Sequence, residues 1–306
     1  MDIAVIGSNM VDLISYITRM PEEGETIEAP DFRMGCGGKG ANQAIVSARL
    51  GSEVVMVTRV GDDLFAENTI RNFAENGIAT TDVIKTPGSS GVAPIFVDPK
   101  SHNSIIIIKG ANNQLSAADI ERASERIKVC KLIVLQLEVP LETVYAAIEF
   151  GKNHNIPVLL NPAPASPELV LEKVKNVKFI VPNETELSLL TGMPVDSMDD
   201  IKNAAQVLLG LGIENVLVTM GARGVYWLHG EGEQFLEANE VDAKDTTGAG
   251  DAFIGCFAHM YVRTGDIPRS IEVANAYAGD SVTRLGTQTS YAWKDDFAAR
   301  HPGLLH

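Results

Sequence analysis

The feature that most constrains this chain is an alternation of two patterns. Short apolar runs recur at Ile3–Ile6, Val54–Val57, Leu132–Leu135, Val158–Leu160, Phe179–Val181 and Val216–Val218, with helical patterns between them. Runs this short and continuously apolar match parallel strands buried on both faces. The intervening patterns predict helices over Ala41–Leu50, Phe65–Asn76, Ser116–Ile127, Leu141–His154 and Met198–Leu211. The first two are followed by Gly51 and Gly77, which suit the left-handed residue past a helix end, and Ser116 suits an N-cap. A β-α-β-α order of this kind implies an α/β fold: a doubly wound, Rossmann-like parallel sheet with helices on both faces. The 306 residues are enough for one such domain spanning residues 1–306.

Two stretches break the rhythm. Residues 13–34 and 92–109 lack helical period and carry β-branched runs separated by turn residues. Ile14–Ile17 with Thr26-Ile27, and Ala93–Val97 with Ile105–Ile108, read as strands of a small antiparallel β-sheet outside the main layer. Asp98-Pro-Lys-Ser-His-Asn103 is the expected hairpin turn. Inserted beside the first strand, such a sheet is placed to act as a lid. Its run of four isoleucines points to packing against a second subunit.

Charge and cysteine content narrow the function classes. A formal net charge of −15 disfavours nucleic acid and anionic membranes as partners, because both need concentrated Lys and Arg. A small anionic ligand stays compatible, since helix-start amides and a metal ion can hold it locally. Cys36, Cys130 and Cys256 are scattered and form no C-x-x-C pair, which fits a reducing, cytoplasmic compartment. The N-terminal segment has no basic n-region, and no apolar stretch approaches the ~20 residues that span a bilayer.

Five segments carry chemistry. Asp245-Thr-Thr-Gly-Ala-Gly-Asp251 leads into an apolar-striped helix. Its small residues let a ligand approach the backbone, and the helix start aims N–H groups and the positive dipole end at that ligand. The amides of Ala249, Gly250 and Asp251 suit a developing phosphoryl charge, and Asp251 suits a general base. The plain alternative is an Asp N-cap on a tight turn. Gly35-Cys-Gly-Gly-Lys-Gly-Ala-Asn42 matches G-x-G-x-x-G, but it does not directly follow the first strand, and Lys39 is followed by Gly rather than Ser or Thr. It is therefore neither a dinucleotide fingerprint in its usual context nor a Walker A loop. Its donors suit a polyhydroxylated ligand. Gly7–Asp12 sits at the carboxyl end of the first strand, where open α/β sheets bind ligands, and Asp12 could grip hydroxyls. Asn183-Glu-Thr-Glu186 opens a helix after a strand. It reads either as simple helix-start chemistry or as a site where Asn183 and Glu186 organise phosphate and Mg²⁺ through water. Thr219-Met-Gly-Ala-Arg-Gly224 turns sharply after a strand and suits a nucleotide.

Together these segments resemble the ribokinase family, the PfkB carbohydrate kinases, over essentially the whole chain and in order. The resemblance implies ATP-dependent phosphorylation of a sugar hydroxyl, a β-lid that serves as a homodimer clasp, and ATP, Mg²⁺ and an activating K⁺. Carried over by residue, it makes Asp251 the base and Gly248, Ala249 and Gly250 the anion hole. Asp12, Gly38, Lys39, Gly40, Asn42 and Glu138 fall to the sugar. Asn183, Glu186, Thr219, Gly221, Arg223, Gly224, Gly250 and Asn275 fall to the nucleotide and its phosphates. Asp245, Thr247, Ser281, Arg284, Gly286 and Ser290 match the monovalent-cation loop. The string Gly-Gly-Lys-Gly-Ala-Asn-Gln looks closest to the pentose kinases.

One position departs from the pattern. Ribokinases read Asn-x-Asp where this chain reads Met10-Val11-Asp12. Asn can pair a sugar hydroxyl; Met offers bulk and a weak acceptor. The expected sugar is therefore 2-deoxyribose, with ribose as the alternative. Rival classes are an NAD-dependent oxidoreductase, on the strength of Gly35–Gly40, and a non-catalytic sugar sensor, which would not need Asp251.

Overall fold

The computed structural model of the protein describes residues 1–99 and 103–305. Among these, thirteen strands run in chain order: β1 Ile3–Ile6, β2 Met10–Tyr16, β3 Asp31–Gly37, β4 Val54–Val60, β5 Val83–Lys85, β6 Val92–Val97, β7 Asn103–Ile105, β8 Leu132–Leu135, β9 Val158–Leu160, β10 Phe179–Ile180, β11 Asn215–Thr219, β12 Gly224–His229 and β13 Gly232–Glu237. Nine form the main sheet in the order β13-β12-β11-β10-β9-β8-β1-β4-β5. Pairing is parallel from β5 to β11 and antiparallel across β11, β12 and β13. The six apolar runs seen in the sequence are the buried centre of this sheet. Its antiparallel edge, β12 and β13, escaped the sequence reading: Gly232–Glu237 is polar and largely exposed, while Gly224–His229 is a buried apolar run that the reading passed over.

Burial on both faces explains the continuous apolar runs. Along β1, Ile3 and Val5 join one core cluster, while Ala4 and Ile6 join the other. Helices cover each side. The helix Lys39–Arg49 packs against the helix Ala249–Thr264 at very close range. A Cβ on Gly255 would lie 2.6 Å from Val46 Cβ and 2.7 Å from Gln43 O, so only glycine permits this crossing. Ser47 Oγ donates to Gly255 O across the same contact (2.9 Å). The expected helix Ser116–Ile127 divides into Ala117–Arg122 and Ser124–Ile127, and its start is the predicted one: Ser116 and Asp119 form a reciprocal capping box.

The small sheet has the order β3-β2-β6-β7, and its pairing corrects the expectation of a purely antiparallel lid. The outer pairs, β2 with β3 and β6 with β7, are antiparallel, but the central pair β2–β6 is parallel. The reason lies in how the strands leave the core. β2 continues almost directly from β1, and β6 rises beside it; each then folds back as its own hairpin. The lid also begins earlier than residue 13. Met10 pairs with Gly37, so both the Met10–Asp12 segment and the glycine-rich loop belong to it. Thr26-Ile27 is in no strand; the returning strand is Asp31–Gly37. Within the expected turn 98–103, residues 100–102 lie outside the described residues. No described helix is long and apolar enough to cross a membrane.

Candidate active site

Asp251 is not an N-cap. The N-cap of its helix is Gly248, with φ 76°, and Asp251 stands inside the first turn, 6% exposed. The close crossing at Gly255 sets it one turn away, against the facing helix. There Asn42 Nδ2 donates to Asp251 Oδ2 and Gln43 Nε2 donates to Oδ1, each at 2.9 Å. A buried carboxyl group whose two oxygens each accept from a neutral amide is held in a fixed plane. It is held by side chains from the glycine-rich segment, so the two motifs meet in one site.

The turn before Asp251 is equally fixed. Tyr291 OH donates to Gly248 O at 3.0 Å, and a Cβ on Gly248 would lie 2.5 Å from that hydroxyl. Burial, with the Asp251 charge nearby, keeps the Tyr291 phenol well above its ordinary range, so it remains a donor. The N–H of Ala249 turns back to Thr246 O (3.2 Å). The Gly250 and Asp251 amides are the helix-start donors with no carbonyl one turn behind them inside the helix. They are the better anion-hole candidates of the three.

Opposite Asp251 lies the lid. Met10 and Asp12 project from one face of β2, two residues apart. The Asp12 carboxylate lies over Gly37, where a Cβ would come within 2.4 Å of both oxygens. It makes no hydrogen bond among the described residues. Burial, together with the charges of Glu138 and Asp251, pushes its pKa up from 3.8 to about 7. Met10 is 2% exposed, and its Sδ lies 3.7 Å from Asn112 Nδ2. Glu138 Oε2 accepts from Ser8 Oγ (2.5 Å) and from the Lys39 amide (2.9 Å), tying the loop after β8 to the glycine-rich loop. Burial pulls the Lys39 ammonium down, but Asp251, Glu138 and Glu186 outweigh it and hold the pKa above its ordinary value. Gly38, with φ 90°, and Gly40 allow this loop to pack on Asn9 and Ser8; a Cβ at either would lie within 2.7 Å of their backbone.

The raised pKa of Asp12 carries a stability prediction. A carboxyl with a folded pKa near 7 and an ordinary value of 3.8 binds its proton more tightly when folded. Stability from this group is therefore full below pH ~4 and is lost as pH rises from ~4 to ~7. Asp12→Asn is expected to raise the Tm of the ligand-free protein at pH 8 while raising the KM for sugar at least tenfold, by about the loss of one charged hydrogen bond. Thermal melts and sugar kinetics on the two proteins check it; an unchanged or lower Tm at pH 8 contradicts it.

The nucleotide candidates gather on the other side of Lys39. Asn183 and Glu186 form a reciprocal capping box, Asn183 Oδ1 accepting from Glu186 N and Glu186 Oε2 from Asn183 N, both at 2.8 Å. The plain helix-start reading is thus correct for these atoms. Glu186 still faces the site: burial raises its pKa, countered by the Asn183 amide and the Lys39 charge, with Asp251 also within reach. Thr219 bridges to Asn183 at the strand end, and Gly221 and Gly224 have φ 55° and 112° in the turn that follows. Arg223 pairs with Glu184. Asn275 Nδ2 donates to Leu236 O (3.3 Å), the carbonyl against which Gly224 packs, so Asn275 reaches the same edge.

The remaining candidates lie on two neighbouring segments, Asp245 and Thr247 on one and the stretch from Ser281, at the end of the helix Ile267–Val282, to Ser290 on the other. Asp245 accepts from Thr247 N (2.9 Å) and Gly286 N (2.8 Å). Arg284 Nε and Nη2 donate to Ser290 O (3.0 and 2.7 Å), Ser290 Oγ donates to Thr287 O (2.8 Å), and Ser281 Oγ donates to Ala278 O (2.8 Å).

Several polar residues around Asp251 went unremarked in the sequence: Gln43, Gln136, Asn161, Tyr291 and Gln288. Gln43 follows Asn42 in the glycine-rich motif, and Gln136 and Asn161 directly follow β8 and β9. Polar residues at the carboxyl ends of apolar strands are a usable signal.

A family model for pfkB family carbohydrate kinases matches residues 1–294. A deoxyribokinase of Salmonella typhimurium is 60% identical over 298 residues, covering 97% of each chain. A ribokinase of Mus musculus is 35% identical over 300 residues, covering 96% of this chain and 93% of its own. Among solved structures, Arabidopsis thaliana ribokinase complexed with ribose and ATP superposes with a TM-score of 0.90 at 29% identity, covering 99% of this chain and 98% of that one. Ribokinase of Thermotoga maritima gives 0.88 at 33% identity, covering 97% and 98%.

Proposed function

This chain belongs to the pfkB family of carbohydrate kinases, and from that premise we propose that it transfers the γ-phosphoryl group of ATP to the 5-hydroxyl of 2-deoxyribose in preference to ribose. One observation carries the reading. Across from Asp251, the same strand face that presents Asp12 presents Met10, a side chain with no strong hydrogen-bond acceptor or donor. The 60% identity to a deoxyribokinase supports it.

In this mechanism Asp12, Asn42, Lys39 and Glu138 hold the sugar, and Gly38 and Gly40 let the backbone close around it. Asp251 Oδ accepts the proton of O5 as that oxygen attacks the γ-phosphorus in line, and the bond from that phosphorus to the β–γ bridging oxygen breaks to release ADP. The amides of Gly250 and Asp251 receive the developing charge, with Gly248 and Ala249 shaping the turn. Asn183, Thr219, Gly221, Arg223, Gly224 and Asn275 hold the nucleotide. Glu186, with Asn183, would hold the divalent ion that accompanies ATP through water, its Oε1 taking no part in the capping box. Bound there, the ion neutralises phosphate charge.

The two segments that carry Asp245, Thr247, Ser281, Arg284, Gly286 and Ser290 are the proposed place of an activating K⁺. Ser290 would offer its hydroxyl oxygen, since its carbonyl already faces the Arg284 guanidinium. Phe32 and Met34 on β3, with Ile105, Ile106, Ile107 and Ile108 on the other hairpin, are large exposed apolar side chains on the lid. They support a homodimer formed through it.

Coupled ADP-release kinetics over a panel of pentoses, hexoses and nucleosides, with and without K⁺, test the substrate. The expected result is a kcat/KM for 2-deoxyribose exceeding that for ribose by about ten- to a hundredfold. A higher value for ribose overturns the assignment.

A further inference from the structure

The helix Lys39–Arg49 carries Asn42 near its start and Arg49 at its end, and a string of side-chain amides joins the two outside the helix. Arg49 Nε donates to Asn76 Oδ1 (2.7 Å). Asn76 Nδ2 donates to Asn72 O (2.8 Å) and, more distantly, to Asn72 Oδ1 (3.4 Å). Asn72 Nδ2 donates to Gln288 Oε1 (2.8 Å), Gln288 Nε2 donates to Asn42 Oδ1 (2.9 Å), and Asn42 Nδ2 donates to Asp251 Oδ2 (2.9 Å). Every amide in the string points the same way. The two ends enforce that direction: a guanidinium can only donate and a carboxylate can only accept. The orientation of each amide between them is therefore determined by its neighbours.

A shorter string reaches the other oxygen. Gln136 Nε2 donates to Gln43 Oε1 (2.7 Å), and Gln43 Nε2 donates to Asp251 Oδ1 (2.9 Å). Gln136 Oε1 is left buried without a partner among the described residues, against Gly7, where a Cβ would lie 2.1 Å away. Leaving an amide oxygen unpaired is costly, on the order of 1–3 kcal/mol. Rotating the Gln136 amide would face two oxygens at Gln43, and rotating Gln43 as well would aim an oxygen at the carboxylate. The orphan oxygen is what the direction of the string requires.

We propose that Arg49, Asn76, Asn72 and Gln288 are positioning residues that act through Asn42 to hold Asp251 as an oriented, doubly hydrogen-bonded base, with Gln136 acting likewise through Gln43. Arg49 reinforces the device at a second point. Its Nη1 donates to Gln288 O (2.6 Å) and Tyr291 O (2.7 Å), fixing the segment that carries both Gln288 and the Tyr291 hydroxyl on Gly248 O. One guanidinium thus fixes the base and the turn that receives phosphoryl charge. Hydrogen bonds aligned in series polarise one another, so reversing one distant link is felt at the end of the string.

The proposal rests on Asp251 as the base, and the experiment separates the two. Asn72 lies on the half-exposed face of the helix Leu64–Glu75, three hydrogen bonds from the carboxylate. Asn72→Asp keeps its shape but can no longer donate, so Gln288 and then Asn42 must reverse and present an oxygen to Asp251. The expected result is a fall in kcat of about tenfold, with KM for ATP within about twofold and Tm lowered by no more than several degrees, for loss of one hydrogen bond to a charged group. Asn72→Leu, which removes the donor without reversing the string, is expected to fall between Asn72→Asp and the unmodified enzyme. Ala74→Asp places the same charge on an exposed position of the same helix, outside the string, and is expected to leave kcat unaltered. Equal kcat for Asn72→Asp and the unmodified enzyme overturns the proposal, as does an equal loss in Ala74→Asp or a loss that comes with a larger fall in Tm. Each ratio is taken on whichever sugar the unmodified enzyme phosphorylates fastest. A wrong sugar assignment leaves the ratios readable, and full activity in Asp251→Asn refutes the base itself.

Discussion

Asp251→Asn is expected to lower kcat by about 10²–10⁴-fold, the range by which a positioned general base accelerates proton transfer, while ATP affinity stays within about threefold. The asymmetry follows from placement. In the proposed mechanism Asp251 meets the acceptor hydroxyl, whereas Asn183, Thr219–Gly224 and Asn275 are the residues assigned to the nucleotide. The substitution is not isosteric in its hydrogen bonding. Both carboxylate oxygens accept an amide donor, from Asn42 and Gln43; an asparagine offers one oxygen and one NH₂, so one of the two neighbours must turn around. Thermal melts and ATP titration on the same preparation separate loss of the base from loss of the pocket. A variant that keeps its Tm and ATP affinity but also keeps its turnover removes Asp251 from the mechanism.

Met10→Asn is expected to lower the ratio of kcat/KM for 2-deoxyribose over ribose by about ten- to a hundredfold. A hydroxyl buried without a partner costs roughly 1–3 kcal/mol, which converts to that range. The local geometry favours the change. Met10 Sδ now lies 3.7 Å from Asn112 Nδ2, whose hydrogens go to Asn9 O (2.7 Å) and Lys109 O (2.9 Å). With both Asn112 hydrogens engaged, an asparagine at position 10 keeps its oxygen and its NH₂ for the sugar. The gain should come from better use of ribose as well as poorer use of 2-deoxyribose, since the asparagine must then be desolvated without a partner. Competition assays with both sugars measure the ratio directly. A ratio that does not move places the selectivity away from the start of β2.

The main sheet was legible because its strands are buried on both sides: Ile3, Ala4, Val5 and Ile6 each enter a core, so the run stays apolar without interruption. The edge strand Gly232–Glu237 was not legible, because its side chains meet solvent and only its backbone pairing makes it a strand. The lid was half legible. Its β-branched runs showed, but the start at Met10 did not, because β2 continues from β1 after only a few residues and the two read as one segment with a loop. In the site, the motif residues announced themselves by glycine spacing. Gln43 and Gln136 were marked only by their places beside Asn42 and at the end of β8, and Asn72 and Gln288 not at all, because single carboxamides scattered over the chain carry no spacing signal until the fold gathers them.

The site has a further property that follows from its missing side chains. Gly7, Gly37, Gly38, Gly40 and Gly91 each stand where a Cβ would come within 3 Å of a neighbour: Gln136, the Asp12 carboxylate, the backbone of Asn9, the backbone of Ser8, and Asn112 with Met10. Walls made of main chain cannot be reshaped by rotamer changes or by modest substitutions. A side chain at any of these positions must displace the neighbour it meets, so substitution there disrupts the site instead of retuning it. Position 10 is different, because it already carries a flexible side chain at the cavity edge. If Met10 sets the sugar as proposed, the route by which one member of this lineage could exchange its sugar for another is narrow, and it passes through the residue at the root of the lid rather than through the glycines around it.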